Sequence, residues 1–470
     1  MTVLMWKTND EKGEVMTKRR DFLKAASCTG MAAAMSGMGC RTVGRSVDSG
    51  RSVMGLRTPA LDEVRVGFIG VGQRGPGGVK RLCNIPKTKV VAICDVYEDR
   101  VVKSAADVVA AGQPDPAKYA GSEEAFKKMC ESPEVNLVYV CTPWEWHVPM
   151  ALYAMECGKH VCVEVPIALT VEDCWRLVKM AEKTHLHCMM LENCCYGYSE
   201  LFALNLCRKG VLGELVHGEA AYIHDARNYY FRETANDERA AQWRLKWIQR
   251  HTGNGYPTHG LGPVCQYMGI NRGDRIESLA SMSTNPFGLG SAMADKYGKE
   301  SRQAKAAGAI KMGDVNTSII RTSLGKTIMV QYNTQSPRPY SRINLISGTK
   351  GTLADYPLRV AVDPHAESWM SDKDLEELKV KHVHPLWDKN GKTAQKMGGH
   401  GGMDYLMEYR LCHCLLNGLP LDQDIYDGVT WSSLVELSER SVLNGGSAVE
   451  MPDFTRGAWR TAQPLGIVEC

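Results

Sequence analysis

The sequence has no pair of cysteines in Cys-x-x-Cys spacing, although 17 cysteines are scattered over 470 residues. Cys412-His413-Cys414 is too tight for a usual zinc site and reads as thiols buried on a helix. No metal centre is expected. So many thiols without a framework point to folding in a reducing compartment. No apolar stretch reaches the roughly 20 residues of a membrane span. Charge of one sign is not in excess either. The 56 Lys and Arg nearly balance 53 Asp and Glu, with no long basic run beyond the N-terminus, which speaks against a nucleic-acid partner. No internal repeat or low-complexity tract is seen past the N-terminal segment. What remains is an ordinary globular composition, 44% hydrophobic and 23% charged, long enough for two or three domains.

"VRVGFI" at Val64–Ile69 is an apolar run suited to a buried parallel strand. "GVGQRG" follows and sets Gly70, Gly72 and Gly75 in G-x-G-x-x-G spacing before a predicted helix. Gly70 would permit the tight turn, Gly72 the approach of a pyrophosphate to the backbone, and Gly75 close helix packing. The helix N-terminus would stabilise the phosphate charge. The hexapeptide alone is a weak signal. It is strengthened by a second strand, "KVVAICD", that ends at Asp95, about 20 residues past the last glycine. A carboxylate there holds ribose hydroxyls and repels a 2′-phosphate, so the cofactor is expected to be NAD rather than NADP. "NLVYVCT", "HVCVEVP" and "HCMMLEN" read as further strands, separated by a helix closed at Gly158 and another capped by Thr170. This alternation is α/β, a doubly wound parallel Rossmann sheet, placed over residues 61–192. Ligands bind beyond the carboxyl ends of such strands. Asp95, Thr142, Trp144, His147, Glu164 and Asn193 therefore fall around one crevice.

Residues 193–470 change pattern. "ELVHGEAAYIH" alternates as a strand, "GNGYPTHGLGPVCQYMG" is a glycine-rich turn and helix with His259 near its start, and two more strand pairs follow around Gly-Lys and Gly-Thr-Lys-Gly turns. An α+β domain with an open, mostly antiparallel sheet is expected. "HVHP" at His382–Pro385 reads as a surface loop. At the other end, Arg19-Arg20-Asp21-Phe22-Leu23-Lys24 resembles a twin-arginine export signal, with a plain basic tail as the alternative. That route carries folded proteins, which suits a chain that captures its cofactor before reaching the periplasm or cell surface. Cys40 is a candidate lipid anchor, although the residues before it fit a lipobox poorly. Residues 1–60 are set aside as signal and linker.

The glycine fingerprint, Thr142-Pro143, His147, "GKHVCVE" and Pro166 resemble the glucose–fructose oxidoreductase and inositol dehydrogenase superfamily. "TPWEWHVPMA", "EVP", "LEN", "GNGYPTHGLGPV", "SPRPYSRIN" and "GGHGGMDYLM" resemble one branch more closely: the NAD-dependent glycosidases of glycoside hydrolase family 109, typified by α-N-acetylgalactosaminidase. The resemblance spans nearly everything after Leu61. It implies cofactor contacts at Gln73, Arg74, Asp95, Trp144, Glu145, Trp146, His147, Glu164, Val165 and Asn193. It implies substrate contacts at Tyr222, Arg244, Tyr256, Pro257, Thr258, His259 and Tyr340.

The superfamily's dehydrogenases carry Glu-Lys-Pro where this chain has Glu164-Val165-Pro166, and valine cannot take the proton of a hydroxyl being oxidised. The resemblance implies a redox-neutral cycle instead. Hydride leaves sugar C3 to NAD⁺, the ketone acidifies the C2 proton, the C1 substituent is eliminated, water adds, and the hydride returns. The cofactor would stay bound and be recycled each turnover. General acid–base catalysis, typically roughly 10²–10⁴-fold, is too little to remove an unactivated C2 proton, which is why the ketone matters. His259 is the first candidate for the proton steps. Tyr256 and Tyr222 either serve as base, hold the sugar or pack. His400, with Asp404 one turn later, is either a leaving-group acid or part of a glycine-rich turn. The expected partner is a small or glycan-terminal sugar, and a homo-oligomer is left open. The rivals are a net sugar oxidoreductase, which Val165 disfavours, and a non-catalytic NAD- or sugar-binding module.

Overall fold

Residues 51–231, 242–464 and 467 are described by a computed structural model. The twin-arginine motif and Cys40 lie outside the described residues. Six strands, β1 (Val64–Ile69), β2 (Thr88–Cys94), β3 (Ala117–Tyr119), β4 (Leu137–Val140), β5 (His160–Val163) and β6 (Cys188–Met190), form one sheet in the order β3-β2-β1-β4-β5-β6. Every pairing in it is parallel. The order reverses beside β1, which opens a crevice at the carboxyl ends of β1 and β4. Helices cover both faces, so the strands read as near-continuous apolar runs. The helix Val171–Thr184 begins as its sequence demands: the Thr170 hydroxyl accepts the Asp173 N–H at 3.1 Å.

The second sheet holds eight strands: β7 (Leu215–Ile223), β8 (Ile276–Ser283), β9 (Val315–Thr322), β10 (Thr327–Asn333), β11 (Leu345–Gly348), β12 (Gly351–Ala354), β13 (Arg359–Val362) and β14 (Val449–Glu450). Their order is β13-β12-β11-β7-β10-β9-β8-β14, antiparallel except for β7 beside β10. The helix Thr258–Met268 lies directly on β7. A β-carbon at Gly260 would fall 2.4 Å from the Ala221 nitrogen, so only glycine permits this approach. The contact brings His259 next to Tyr222 of β7, their ring centroids 5.3 Å apart.

Two stretches differ from expectation. Residues 51–60 are not all linker: Val53 is buried, and its N–H donates to the Tyr426 hydroxyl at 3.2 Å. A lone apolar residue in a Gly/Ser/Arg-rich stretch carries no periodicity that would reveal this. His382–Pro385 is not a surface loop. It joins the helices Asp372–His382 and Pro385–Met397, and His384 is buried as the N-cap of the second, its Nδ1 accepting the Leu386 N–H at 3.2 Å. The cysteines among the described residues are free thiols, and Cys412 and Cys414 sit in the core as read.

Burial lowers the pKa of His160 to about 4, of His187 to about 3 and of His384 to about 4. An unfolded chain would protonate these rings near 6.5, so their contribution is complete above that value and is lost as pH falls toward 4. Each unit of depression is worth about 1.4 kcal/mol. The urea midpoint should therefore drop steadily between pH 7 and pH 4.5; a flat profile would show that these rings do not remain neutral in the fold.

Candidate active site

After β1 the chain turns through Gly70 to Gly75. A β-carbon at Gly75 would lie 2.2 Å from the Gly70 carbonyl oxygen, so the turn closes only with glycine there. The close helix–strand packing expected of Gly75 belongs to Gly78, whose β-carbon would sit 2.9 Å from the Phe68 ring. A β-carbon at Gly72 would meet only the tip of Arg100, at 3.0 Å, which leaves this backbone open to a ligand. Asp95 stands just past β2. One carboxylate oxygen accepts the Val71 N–H at 2.9 Å and the other the Tyr97 N–H at 3.0 Å. The carboxylate is thus fixed by backbone at the edge of the crevice.

A cavity of about 520 Å³ runs from this turn to His259, within the range of roughly 300–1,000 Å³ usual for small-molecule sites. Gly70, Gly72, Gln73, Arg74 and Asp95 line one end. Thr142, Trp144, Trp146, His147, Glu164 and Val165 line the middle. Tyr222, Arg244, Tyr256 and His259 line the far end, and His400 lies on the rim. A glycine turn open to the cavity, a helix beginning at Gly75 and a fixed carboxylate at Asp95 are the features that a dinucleotide's pyrophosphate and ribose need. The residues present fit NAD.

At the far end, the His259 Nδ1 lies 2.7 Å from Oε1 of Glu192, a fully buried carboxylate. Burial would raise the Glu192 pKa, but the His259 charge and the hydrogen bonds from His259 and the Cys194 backbone N–H oppose it, and the group is held below its ordinary value. Glu192 therefore accepts the Nδ1 proton and leaves Nε2 as the working nitrogen. Aromatic rings surround this dyad. Tyr256 stands 4.8 Å from the His259 ring and 4.9 Å from Tyr222, and Trp144 stacks on Tyr256 at 5.9 Å. The Trp144 indole N–H donates to the Val165 carbonyl at 3.1 Å, which fixes the plane of the ring. The Arg244 guanidinium lies over Trp144, Tyr229 and Trp243 at 5.5, 5.1 and 4.9 Å. Glu192, Cys194 and His259 bring possible metal-ligand atoms within 4.8 Å of one another. Burial, however, pushes the Cys194 thiol up, keeping it protonated, and the Glu192–His259 contact already engages the other two.

Other expected site residues stand outside the cavity wall. Asn193 donates to Asp404 Oδ1 at 2.5 Å, Pro257 and Thr258 are buried at the start of the His259 helix, and Glu145 is exposed. The Tyr340 hydroxyl accepts from Arg342 at 2.8 Å, with its ring 6.3 Å from Tyr222, beside the site rather than lining it. His147 spans the Thr142 and Pro166 carbonyls at 2.9 and 2.8 Å, so it ties the ends of two strands together.

Residues 64–192 match the family model described as oxidoreductase family, NAD-binding Rossmann fold. Residues 196–461 match the model for glycosyl hydrolase 109, C-terminal domain. The chain belongs to glycosyl hydrolase family 109. It is 48% identical over 96% of its length to a family 109 protein of Shewanella pealeana, covering 99% of that protein. It is 46% identical, over 96% of its length and 98% of the relative, to a Shewanella oneidensis protein named alpha-N-acetylgalactosaminidase. Two solved structures share the fold at low identity. Levoglucosan dehydrogenase in complex with NADH and levoglucosan aligns at 16% identity over 83% of this chain and 100% of that one, with a TM-score of 0.62. An inositol dehydrogenase homolog from Azotobacter vinelandii, complexed with NADH and myo-inositol, aligns at 17% identity over 83% and 98%, with a TM-score of 0.59.

This family 109 hydrolase is an enzyme with an NAD-binding domain, and its structure gives two carboxylates partners that the sequence did not supply. Glu192 is one; its neighbour Asn193 was legible from the end of a strand, but its own role appears only when His259 is brought to it. Asp404 is the other, a buried carboxylate that reaches Arg74, Asn193 and His400.

Proposed function

We propose that the protein releases terminal α-linked N-acetylgalactosamine, or a close relative of that sugar, by oxidation at C3, elimination, addition of water and re-reduction, with NAD retained throughout. The observation that carries this reading is the His259–Glu192 dyad, which shares one cavity with the glycine turn while residue 165 is valine. The name of the Shewanella oneidensis relative supports the choice of sugar. When bound, the nicotinamide would take a hydride from C3 and give it back. Gly72 and Asp95 would hold the pyrophosphate and ribose. Glu164, whose Oε1 accepts the Arg74 Nε–H at 3.0 Å, would orient the nicotinamide end. Nε2 of His259 would take and return protons at the sugar, and the Glu192 carboxylate stabilises the charged ring whenever it does so. The Tyr222 and Tyr256 phenols would hold the sugar hydroxyls, and the Trp144 face would exclude water from the reacting carbons. The buried Val165 carries no proton, so a net dehydrogenase would lack its usual acceptor.

The test supplies glycoside to purified protein with no added cofactor. Many turnovers without net NADH formation are expected. A single burst of NADH stoichiometric with the enzyme would overturn the reading in favour of a dehydrogenase.

A further inference from the structure

Asp404 lies in the first turn of the helix Met403–Asn417 and is 1% exposed. Its Oδ2 accepts from Arg74 Nη1 at 3.0 Å, and its Oδ1 accepts from Arg74 Nη2 at 3.2 Å and from Asn193 at 2.5 Å. The His400 Nδ1 lies 3.0 Å from Oδ2, and the Arg81 guanidinium is 3.6 Å from the same oxygen. Burial would raise the Asp404 pKa, but His400, Arg74 and Arg81 outweigh it and hold the carboxyl well below the usual carboxylate range. One charged oxygen pair from the second domain thus grips the glycine turn through Arg74, the end of β6 through Asn193, and the rim loop through His400. A second tie lies one residue away, where the Tyr229 hydroxyl donates to Gln73 Oε1 at 2.6 Å. Gln73, Arg74, Tyr229 and His400 all line the cavity that fits the dinucleotide.

We propose that Asp404 is the positioning residue that sets how long the cofactor stays: through Arg74 and His400 it holds the second domain against the glycine turn, so that NAD leaves only when this contact parts. Charge-assisted hydrogen bonds of this kind are about twice as strong as neutral ones, and several converge on one carboxylate away from water. The inference rests on the reading that NAD is retained between turnovers. It gives His400 a part in cofactor holding, since its Nδ1 lies 3.0 Å from Asp404 Oδ2 and 3.1 Å from Arg74 Nη1.

The experiment uses the full chain loaded with radiolabelled NAD and chased with excess unlabelled NAD, with the melting temperature recorded in parallel. Asp404→Asn keeps the shape and removes the charge. It should exchange about tenfold faster than wild type, equivalent to about 1.4 kcal/mol. His400→Ala, at a ring whose side chain is 60% exposed, should fold as wild type and also exchange faster. It decides the matter should Asp404→Asn fail to fold. Tyr229→Phe should accelerate exchange less than Asp404→Asn. Wild-type exchange rates in the folded variants, with a slowly exchanging wild type, would overturn the role of Asp404 alone. Fast exchange in the wild type itself would overturn the retained-cofactor reading, and this role with it.

Discussion

Replacing His259 by alanine should lower turnover by about 10²–10⁴-fold, the usual contribution of a positioned acid–base group, and should leave NAD content unchanged. The ring sits beside Tyr222 and Tyr256 in the cavity, away from the glycine turn and Asp95, so loss of the imidazole should remove proton transfer without touching the groups that would hold the cofactor's phosphates. Glu192→Gln should cost a similar order. The amide cannot stabilise a charged imidazole, and it presents the ring with a donor as well as an acceptor. Because the two groups act as one unit, the double variant should be hardly worse than His259→Ala. Single-turnover rates, with NAD released by denaturation and assayed, check all three variants. Wild-type activity in His259→Ala would remove the catalytic assignment. Strictly additive losses would remove the dyad.

Arg81→Met should destabilise the fold by about 3–5 kcal/mol, the cost of leaving one partner of a buried ion pair alone. Arg81 donates through Nε to Glu408 Oε2 at 2.8 Å and through Nη2 to Oε1 at 2.7 Å, and both side chains are buried. This pair pins the helix Gly75–Leu82, which follows the glycine turn, to the helix that carries Asp404. Burial already raises the Glu408 carboxyl to about 7 against the pull of Arg81. Without the guanidinium it should rise further. A group raised above its unfolded value contributes fully below that unfolded value and loses its contribution as pH rises through the folded one. The stability gap between wild type and Arg81→Met should therefore be wider at pH 8 than at pH 5.5. Urea unfolding at the two pH values measures it, and a gap independent of pH would mean that Glu408 is not the group left stranded.

The Rossmann half was legible because buried parallel strands read as apolar runs and because its turn needs glycines at fixed spacing. β1 falls at Val64–Ile69 as read, whereas β4 and β6 stop short of Thr142 and Asn193. Thr142 leaves the ladder to line the cavity and Asn193 to reach Asp404, which apolar patterning cannot show. In the second half, β7 and the β9–β10 pair were legible from alternation and a Gly-Lys turn, but the helices Asp372–His382 and Pro385–Met397 were not. Their faces are charge-rich and only a few of their side chains are buried, so the apolar stripe is thin. His259, Tyr256 and Tyr222 could be named from motifs in the sequence. Asp404 could be named only as the neighbour of His400, and Glu192 not at all, because their other partners are distant: 67 residues separate Glu192 from His259, and 211 separate Asn193 from Asp404. A carboxylate at the end of a strand gains its meaning only from what the fold sets against it.

The claim that C3 oxidation opens the way to elimination is tested most directly with a glycoside bearing deuterium at C2 of its terminal sugar. Elimination breaks that bond and water restores it, so the released monosaccharide should carry solvent hydrogen at C2. Deuterium fully retained in the product would contradict it.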